Sequence, residues 1–242
     1  MPENIFKKVN MKMTSLNREP KKVTSEQMDM LFEFTRKHYV DYYDVQCELV
    51  DHLANAIEER WQTQPDLNFN EALHFEFKKF GIFGFTGIVE KRQAALDKKY
   101  RKLTWAYFKD FIKLPKIILT LLFIVLAYKL GRYNMIMYSA ALLGIVLLSL
   151  FRLIQLNINY RKKVKKDGRK WLFESLIMKT GGTMLAPYQI LYYIYRYEPS
   201  AVLMWIMAVL FVVFALFNYI TLYVIPSRAQ EHLLKTYPEY NM

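Results

Sequence analysis

Polar and apolar residues alternate at helical spacing through the first hundred residues, whereas long apolar segments dominate the remainder of the chain. The pattern predicts an all-α protein in which a cytoplasmic helical bundle, residues 24-99, precedes a transmembrane domain of four helices, residues 100-226. Residues 1-23 show no apolar periodicity, and we expect them to form a disordered leader. Residues 227-242 are expected to form a cytoplasmic tail.

Two short patterns in the predicted bundle are typical of helix starts. The Thr24 side chain can accept a hydrogen bond from a backbone amide of the first turn. The side chain of Gln27, three residues on, can in turn accept a hydrogen bond from the Thr24 backbone amide. Asn68 and Glu71 repeat this arrangement further along the chain. The first pattern predicts a helix from about Ser25 to Lys37, and the second predicts another helix that begins after Asn68.

The helix between these two carries apolar and acidic residues on opposite sides, and we expect Asp41 to cap it. Its apolar side recurs at spacings of three and four and consists of Val45, Leu49, Leu53, Ala56 and Ile57. The other side offers oxygen and nitrogen atoms to a protein partner, with a solvated acidic surface or a divalent metal as alternatives. We interpret it as a partner face without metal, formed by Asp44, Glu48, Asp51, His52 and Asn55.

A further helix is predicted from about Phe85 through Tyr107, because no residue that breaks a helix occurs before Pro115. Gly81 is predicted to end the preceding helix in the left-handed conformation. We expect the helix from Phe85 to run without a break, or with a slight kink, from the bundle into the membrane.

Three runs in this part of the chain share a pattern with known bacterial proteins. They are YDVQCELVDHL at residues 43-53, LNFNEAL at 67-73 and KFG at 79-81. Residues 40-95 therefore resemble the HAAS-type and permease-prefix α-helical domains that precede bacterial membrane segments. Those domains usually continue with a Gly-Asp-Pro turn, where this chain has GIFG at 81-84. The resemblance implies a cytoplasmic regulatory or assembly module without known catalysis.

Four apolar stretches are predicted to span a membrane, at residues of about 113-131, 135-157, 171-196 and 201-225. The third stretch contains charged residues, a glycine pair and Pro187. It is either one kinked helix or an interfacial helix followed by a short span. The kinked helix is favoured, because the second half of the stretch alone is marginal in apolar content.

The net charge of +12 is concentrated in two segments, residues 91-116 with nine Lys/Arg and residues 161-170 with seven. Both flank predicted spans on one side, so the positive-inside rule predicts a multi-pass membrane protein with cytoplasmic N- and C-termini. The resemblance of residues 40-95 implies that this membrane is the bacterial inner (plasma) membrane. This explanation leaves little reason to expect a nucleic-acid partner, and we predict none. The single cysteine, Cys47, fits a reducing cytoplasm.

Four polar residues lie at a similar depth when positions are counted from the cytoplasmic ends of the predicted spans: Thr120, Ser149, Lys179 and Asn218. We expect them to form an intramembrane polar layer in which Lys179 faces the helix bundle, since a charge facing lipid is costly. In the alternative, Lys179 extends to the headgroups and the others make ordinary helix-helix hydrogen bonds.

The sequence contains no Gly-rich phosphate loop, nucleophile elbow or paired-carboxylate motif. We therefore predict a protein that is not an enzyme and that has no cofactor and no metal. The expected function is that of a regulatory, signalling or assembly factor in the lipid bilayer, which binds a protein partner or a second copy of itself. A subunit of a small transporter or channel is the alternative. The basic run 161-170 competes with a partner for the acidic helix face.

Overall fold

The computed structural model describes residues 21-179 and 200-237, and every regular element in these ranges is a helix. The all-α prediction is therefore confirmed for the described part of the chain. Two compact units divide between Arg92 and Gln93, and each is described by itself as the N-terminal and the C-terminal unit. The first four helices are α1 (Ser25–Lys37), α2 (Tyr43–Thr63), α3 (Phe69–Lys78) and α4 (Thr86–Asp110), of which α4 crosses the division.

Two helices of the N-terminal unit begin at the capping boxes that the sequence predicts. The backbone amide of Gln27 donates to the Thr24 hydroxyl at 3.3 Å, and the Thr24 amide donates to the Gln27 side chain at 3.0 Å. Asn68 and Glu71 make the same reciprocal pair at 2.9 and 3.2 Å. Each box satisfies two amides that have no partner within the helix, which explains why α1 and α3 start where they do.

The predicted cap of α2 is wrong, because the N-cap residue is Tyr42 rather than Asp41 and its side chain makes no capping hydrogen bond. Val40 is 1% exposed, and its carbonyl accepts a hydrogen bond from the side-chain amide of Gln46. Burial of Val40 and this hydrogen bond determine how the chain enters α2.

The core of the N-terminal unit is built on α2, which packs against α1 and α3. Val45, Leu49, Leu53 and Ile57 are each no more than 1% exposed, so the predicted apolar side of this helix is confirmed. Ala56 is only half-buried. At the far end of α2 the Trp61 indole donates to the backbone carbonyl of Leu67 at 3.0 Å, which ties the turn to the helix.

A buried carboxylate joins α2 to α3. The Glu76 side chain is 4% exposed, and its two oxygens lie 2.6 Å from Arg60 Nε and 2.6 Å from Lys79 Nζ. Burial raises the pKa of Glu76, but the hydrogen bonds from Lys79 and Arg60 outweigh it, and the pKa lies below its ordinary value. Glu76 is therefore ionised and paired at neutral pH.

The helix α4 ends at Asp110, and the next helix begins at Lys116. The predicted helix from about Phe85 through Tyr107 is therefore confirmed, whereas its continuation into the first predicted span is wrong, because residues 111-115 form turns. Asp110 forms an ion pair with Lys113 at 2.9 Å, and the Thr120 hydroxyl donates to the backbone carbonyl of Phe111 at 3.2 Å. These side chains provide partners for groups at the end of α4 and stabilise the turn.

The remaining described elements belong to the C-terminal unit. They are α5 (Lys116–Tyr133), α6 (Met135–Asp167), α7 (Leu172–Lys179), α8 (Ala201–Tyr219), a π-helical segment (Ile220–Val224), α9 (Ile225–Ser227) and α10 (Ala229–Leu234). Helices α5, α6 and α8 share one buried apolar cluster. In its centre the Tyr138 hydroxyl donates to the backbone carbonyl of Met207 at 2.9 Å.

Close approach between α5 and α8 requires a small residue on α5. A Cβ atom at Gly131 would lie 1.8 Å from the Met204 methyl carbon, and Met204 is fully buried. One turn earlier the Tyr128 ring stacks on Trp205 with centroids 4.1 Å apart. Glycine at 131 therefore lets the two helices approach closely enough for this packing.

Two described helices are long and apolar enough, by length and composition, to cross a membrane. The first is α6, Met135–Asp167, and the second, Ala201–Ser227, consists of α8, the π-helical segment and α9. Only 17% and 33% of their most apolar windows are buried inside the chain, so most of their side chains point outward. Of the other two predicted spans, α5 carries three basic residues. In the third, only Leu172–Lys179 forms a described helix, and its kink, Pro187 included, lies outside the described residues.

The described part of the tail packs within the C-terminal unit. The Tyr237 ring lies 4.9 Å from Trp171, and Lys99 Nζ donates to the Thr236 hydroxyl at 2.8 Å. The Tyr107 hydroxyl lies 3.1 Å from His232 Nε2. Burial lowers the pKa of His232 below its ordinary value, against the opposing charge of neighbouring Glu231. The tail as far as Tyr237 is thus an ordered part of this unit.

Candidate functional site

The predicted partner face lies along one side of α2. Asp51, His52 and Asn55 are exposed and Glu48 is half-buried, at positions that share one face of a helix. Asp44, which the sequence groups with them, is only 8% exposed and contributes little surface. Four of the five predicted residues therefore form a continuous polar stripe, whose role in binding stays a prediction.

One charge on this stripe has an internal partner. Glu48 Oε2 lies 3.7 Å from Arg92 Nε, with both side chains about 40% exposed. An ion pair this exposed contributes roughly 0 to 1 kcal/mol, so a partner can compete for it. Within the described ranges, no three His, Cys, Asp or Glu side chains come together as a metal site would require.

The structure also shows an exposed apolar group that the sequence reading missed. Ile82 is fully exposed, Phe83 is 80% exposed and Tyr39 is 91% exposed. Tyr39 follows His38 in the chain, and Ile82 and Phe83 lie between Phe80 and Phe85. His38, Phe80 and Phe85 belong to one aromatic cluster, and we call the three exposed residues beside it in sequence the apolar rim. Where large exposed apolar side chains form a patch, they are typical of surfaces that bind other proteins.

The cluster beneath the apolar rim is closely packed. The His38 ring lies 4.4 Å from Phe77, and Phe77 lies 5.0 Å from Phe85. His38 Nδ1 is 2.8 Å from the backbone carbonyl of Phe34. Gly84 has a φ of +51°, and a Cβ there would lie 3.3 Å from the Phe77 ring. The rim residues are therefore presented on a well-packed base.

Tyr39 adopts an unfavourable backbone conformation. Its φ is +64°, and it is the only residue other than glycine with positive φ in the described part of the chain. A residue with a side chain in this region costs on the order of 1 kcal/mol. With 91% of its surface exposed, the Tyr39 side chain recovers little of that cost by packing.

Two of the three residues of the apolar rim could have been recognised in the sequence. Gly81 has a φ of +73°, which confirms the predicted left-handed stop after α3, and it is followed by Ile82 and Phe83 before Gly84. Two large apolar residues between two glycines in a turn are unusual where polar residues are the rule. No comparable signal exists for Tyr39, because its conformation depends on the burial of Val40 beside it.

The residues of the predicted polar layer make separate contacts with groups near each of them. Thr120 is half-buried and donates to the Phe111 carbonyl and, at 3.1 Å, to the Lys116 carbonyl. Asn218 is 6% exposed and donates to the Phe214 carbonyl at 2.9 Å. Both therefore satisfy their hydrogen bonds on nearby backbone groups.

The other two predicted members lie on α6 and α7. Ser149 is half-buried, and the Lys179 ammonium lies 5.7 Å from the centre of the Tyr160 ring. Over the described ranges, no hydrogen bond joins any two of Thr120, Ser149, Lys179 and Asn218. The polar layer and the alternative placement of Lys179 at the headgroups both stay predictions.

Arg152 is an ionisable residue within the predicted second span that the sequence reading overlooked. Its Nε donates to the backbone carbonyl of Leu222 at 3.4 Å, and its guanidinium lies 5.0 Å from the Tyr223 ring. A second guanidinium nitrogen donates to Gln155. Leu222 and Tyr223 belong to the π-helical segment, where backbone carbonyls are displaced from regular α-helical pairing. Arg152 thus provides a donor for one of them.

An ion pair with a buried carboxylate connects α6 to α7. Glu174 is 3% exposed, and its carboxylate lies 2.6 Å from Lys163 Nζ. Lys163 belongs to the basic run 161-170, so one lysine of that run has a carboxylate partner inside the C-terminal unit. Loss of Lys163, whose side chain is 44% exposed, would remove this counterion from a buried carboxylate, which is costly.

Comparison with known proteins adds no relative. The chain matches no protein-family model, no curated protein and no solved structure. The resemblance of residues 40-95 to HAAS-type and permease-prefix domains therefore stays a prediction from sequence motifs. Any functional conclusion depends on the surfaces and buried groups described above.

Proposed function

We propose that this protein is a non-enzymatic integral membrane protein that acts as a regulatory, signalling or assembly factor by binding a protein partner through its N-terminal helical unit. The proposal includes four membrane spans, with the N-terminal unit and both termini in the cytoplasm. The observation that carries it is the apolar rim, formed by Tyr39, Ile82 and Phe83, each at least 80% exposed.

The membrane part of the proposal is supported by the two long apolar helices and by the low buried fraction of their windows. A core helix of a soluble protein would be mostly buried, whereas these two present large apolar side chains outward. Phe151 is 68% exposed on α6, and Val202 is 70% exposed on α8. The basic residues at 91-116 and 161-170 support the orientation through the positive-inside rule.

Partner binding is supported by the energetics of the apolar rim. Folding gains little from Ile82 or Phe83, because neither buries its side chain, and Tyr39 costs stability through its backbone conformation. Residues that lower or do not raise stability are expected where they serve a binding function. The polar stripe from Glu48 to Asn55 is the second surface that a partner would contact.

The test uses the tagged full-length protein, solubilised from its own membrane in a mild detergent. We expect the wild type to retain a stoichiometric protein partner or to purify as an oligomer of itself. The double variant Ile82→Ser, Phe83→Ser should lose that association, whereas Met30→Ser, at a 47% exposed position on α1, should keep it. Charge reversal at Glu48 and Asp51 tests the polar stripe separately.

Two results would contradict partner binding. One is a wild type that purifies as a monomer without a stoichiometric partner. The other is an association that survives both the Ile82→Ser, Phe83→Ser variant and the charge reversal. Extraction of the full-length protein from membranes by alkaline carbonate, without detergent, would contradict the membrane assignment itself.

Transport is a second candidate function, favoured by the contacts of Arg152. A guanidinium inside a predicted span, bound to a π-helical carbonyl, is the kind of polar group that lines substrate or ion pathways. A transporter or channel subunit would give solute or ion flux in liposomes that contain the purified protein alone. Flux that Arg152→Gln abolishes would favour transport over partner binding.

A further inference from the structure

An open groove of about 830 Å³ lies between α4 and α8 in the C-terminal unit. One part of its wall is apolar and includes Trp105 and Phe108 on α4 and Val213 and Phe217 on α8. The Trp105 ring stacks on Phe108 with centroids 5.6 Å apart and is 57% exposed. The volume is in the range of sites that bind small molecules.

The rest of the wall is polar, with one cation and one carboxylate. It includes Asp97, Arg101 and the hydroxyls of Thr104 and Thr221. Arg101 is exposed, and within the described ranges no carboxylate lies at ion-pair distance from it, although Asp97 is one turn away on α4. The neighbouring positions 98, 99 and 102 are all lysine, so positive charge exceeds negative charge around this part of the groove.

Tyr100 provides a buried polar group on the same wall. It is 5% exposed, and its hydroxyl lies beside the Thr104 side chain without forming a regular hydrogen bond to it. The adjacent Thr104 hydroxyl donates instead to the Tyr100 backbone carbonyl at 3.0 Å. Burial raises the pKa of Tyr100 to about 12, so the hydroxyl stays protonated. A protonated tyrosine hydroxyl is a hydrogen-bond donor, as an anionic ligand requires.

We propose that this groove binds one anionic phospholipid from the surrounding bilayer, with the acyl chains along Trp105, Phe108 and Phe217 and the phosphate at Arg101. The proposal depends on the membrane assignment made above. Charge complementarity selects an anionic headgroup, because juxtamembrane basic residues attract anionic lipids. The apolar wall selects a ligand with hydrocarbon chains, which a free phosphate or a nucleotide lacks.

The experiment titrates the purified full-length protein in a neutral detergent with dioleoyl phosphatidylglycerol or dioleoyl phosphatidylcholine and counts bound lipid by native mass spectrometry. We expect one saturable site with a clear preference for phosphatidylglycerol. Arg101→Glu should weaken phosphatidylglycerol binding about tenfold or more, because it replaces a phosphate-binding cation by an anion. The matched control Lys102→Glu changes the same charge on an exposed residue that does not line the groove, and it should keep the preference.

A second pair of variants tests whether lipid binds in the groove, by filling the groove with a large side chain. Val213→Trp places a large ring in the groove and should remove the saturable site for both lipids. Val202→Trp, on the same helix at a 70% exposed position outside the groove, should leave it intact. These positions are exposed enough to accept tryptophan without loss of the fold, which circular dichroism checks.

Several outcomes would overturn the proposal. Equal binding of the two lipids, or equal loss in Arg101→Glu and Lys102→Glu, would show that surface charge and not the groove is responsible. Conversion of an oligomer to a monomer by Val213→Trp would show that a second copy covers the groove. If the protein is extracted from membranes without detergent, the membrane assignment fails as well. If it requires detergent but has no saturable lipid site, only the lipid proposal fails.

Discussion

The buried Glu76 offers the sharpest test of what stabilises the N-terminal unit. Glu76→Gln keeps the size of the side chain and one carbonyl acceptor but removes the charge. Arg60, whose side chain is 21% exposed, then loses its counterion. Lys79 loses the same counterion, but this costs less stability because its side chain is 64% exposed. We expect the variant to fold with a lower free energy of unfolding in α2 and α3.

The magnitude follows from the two contacts. A hydrogen bond between Arg60 and a buried carboxylate contributes about 1.5 to 3 kcal/mol. The contact from Lys79 contributes roughly 0.5 kcal/mol, because solvent screens its exposed ammonium. Since the side-chain amide introduced by Glu76→Gln would still accept one hydrogen bond, the expected loss is about 2 kcal/mol, or roughly a thirtyfold change in the unfolding equilibrium constant.

The measurement is hydrogen exchange by mass spectrometry on peptides from α2 and α3 in the detergent-solubilised full-length protein, across a urea series. Because the pKa of Glu76 is lowered in the folded state, its ionisation stabilises the fold above the unfolded pKa, and that contribution is lost as the pH falls through the folded pKa. The difference in the free energy of unfolding between wild type and Glu76→Gln should therefore have its largest value at a pH of about 7 and become smaller below a pH of about 4.

Two controls separate the ion pair from a general effect of charge. Glu59→Gln changes an exposed carboxylate on the same helix as Arg60 and should alter the free energy by less than about 0.5 kcal/mol. The double variant Arg60→Met, Glu76→Met removes both charges of the pair and should recover much of the stability lost in Glu76→Gln. A loss in Glu76→Gln that stays constant as the pH falls would refute the electrostatic explanation.

Two further predictions concern the packing of α5, α6 and α8. Gly131→Ala should lower the thermal midpoint in detergent, at a cost of about 1 to 3 kcal/mol, because its new methyl group meets buried Met204. Gly144→Ala, whose Cβ has no neighbour within 4 Å, is the control and should not lower it. Tyr138→Phe removes the hydroxyl that donates to Met207 and should cost about 1 kcal/mol in the same assay. An unchanged midpoint in either packing variant would contradict the corresponding contact.

Local hydrogen-bond chemistry made part of the fold predictable. The starts of α1 and α3 depend on side chains three residues apart, so Thr24 with Gln27 and Asn68 with Glu71 could be recognised in the sequence. The start of α2 could not be, because it depends on the burial of Val40, which is a property of the packed unit. For the same reason the exposed Tyr39 was not predicted.

The charged contacts show a similar limit. Glu76 follows Ala72 by four positions and Leu73 by three, so helical spacing places it on the buried side of α3. Spacing does not show that Arg60, sixteen residues earlier, is its partner. Arg152 is visible in the sequence as a charge inside an apolar run, but its contact with the Leu222 carbonyl depends on a π-helical segment that no residue pattern marks.

The π-helical segment also affects the direction in which the side chains that follow it point around the helix axis. A π-helical turn is equivalent to one residue inserted into an α-helix, and each residue of an α-helix turns the backbone by about 100°. Ile225, Ala229 and Leu233 come after Ile220–Val224 at intervals of four residues, and each is no more than 6% exposed. With one residue fewer in the segment, Ile225 would turn by about 100° from its buried position, so a single position inside a predicted membrane helix affects the direction in which the tail leaves it.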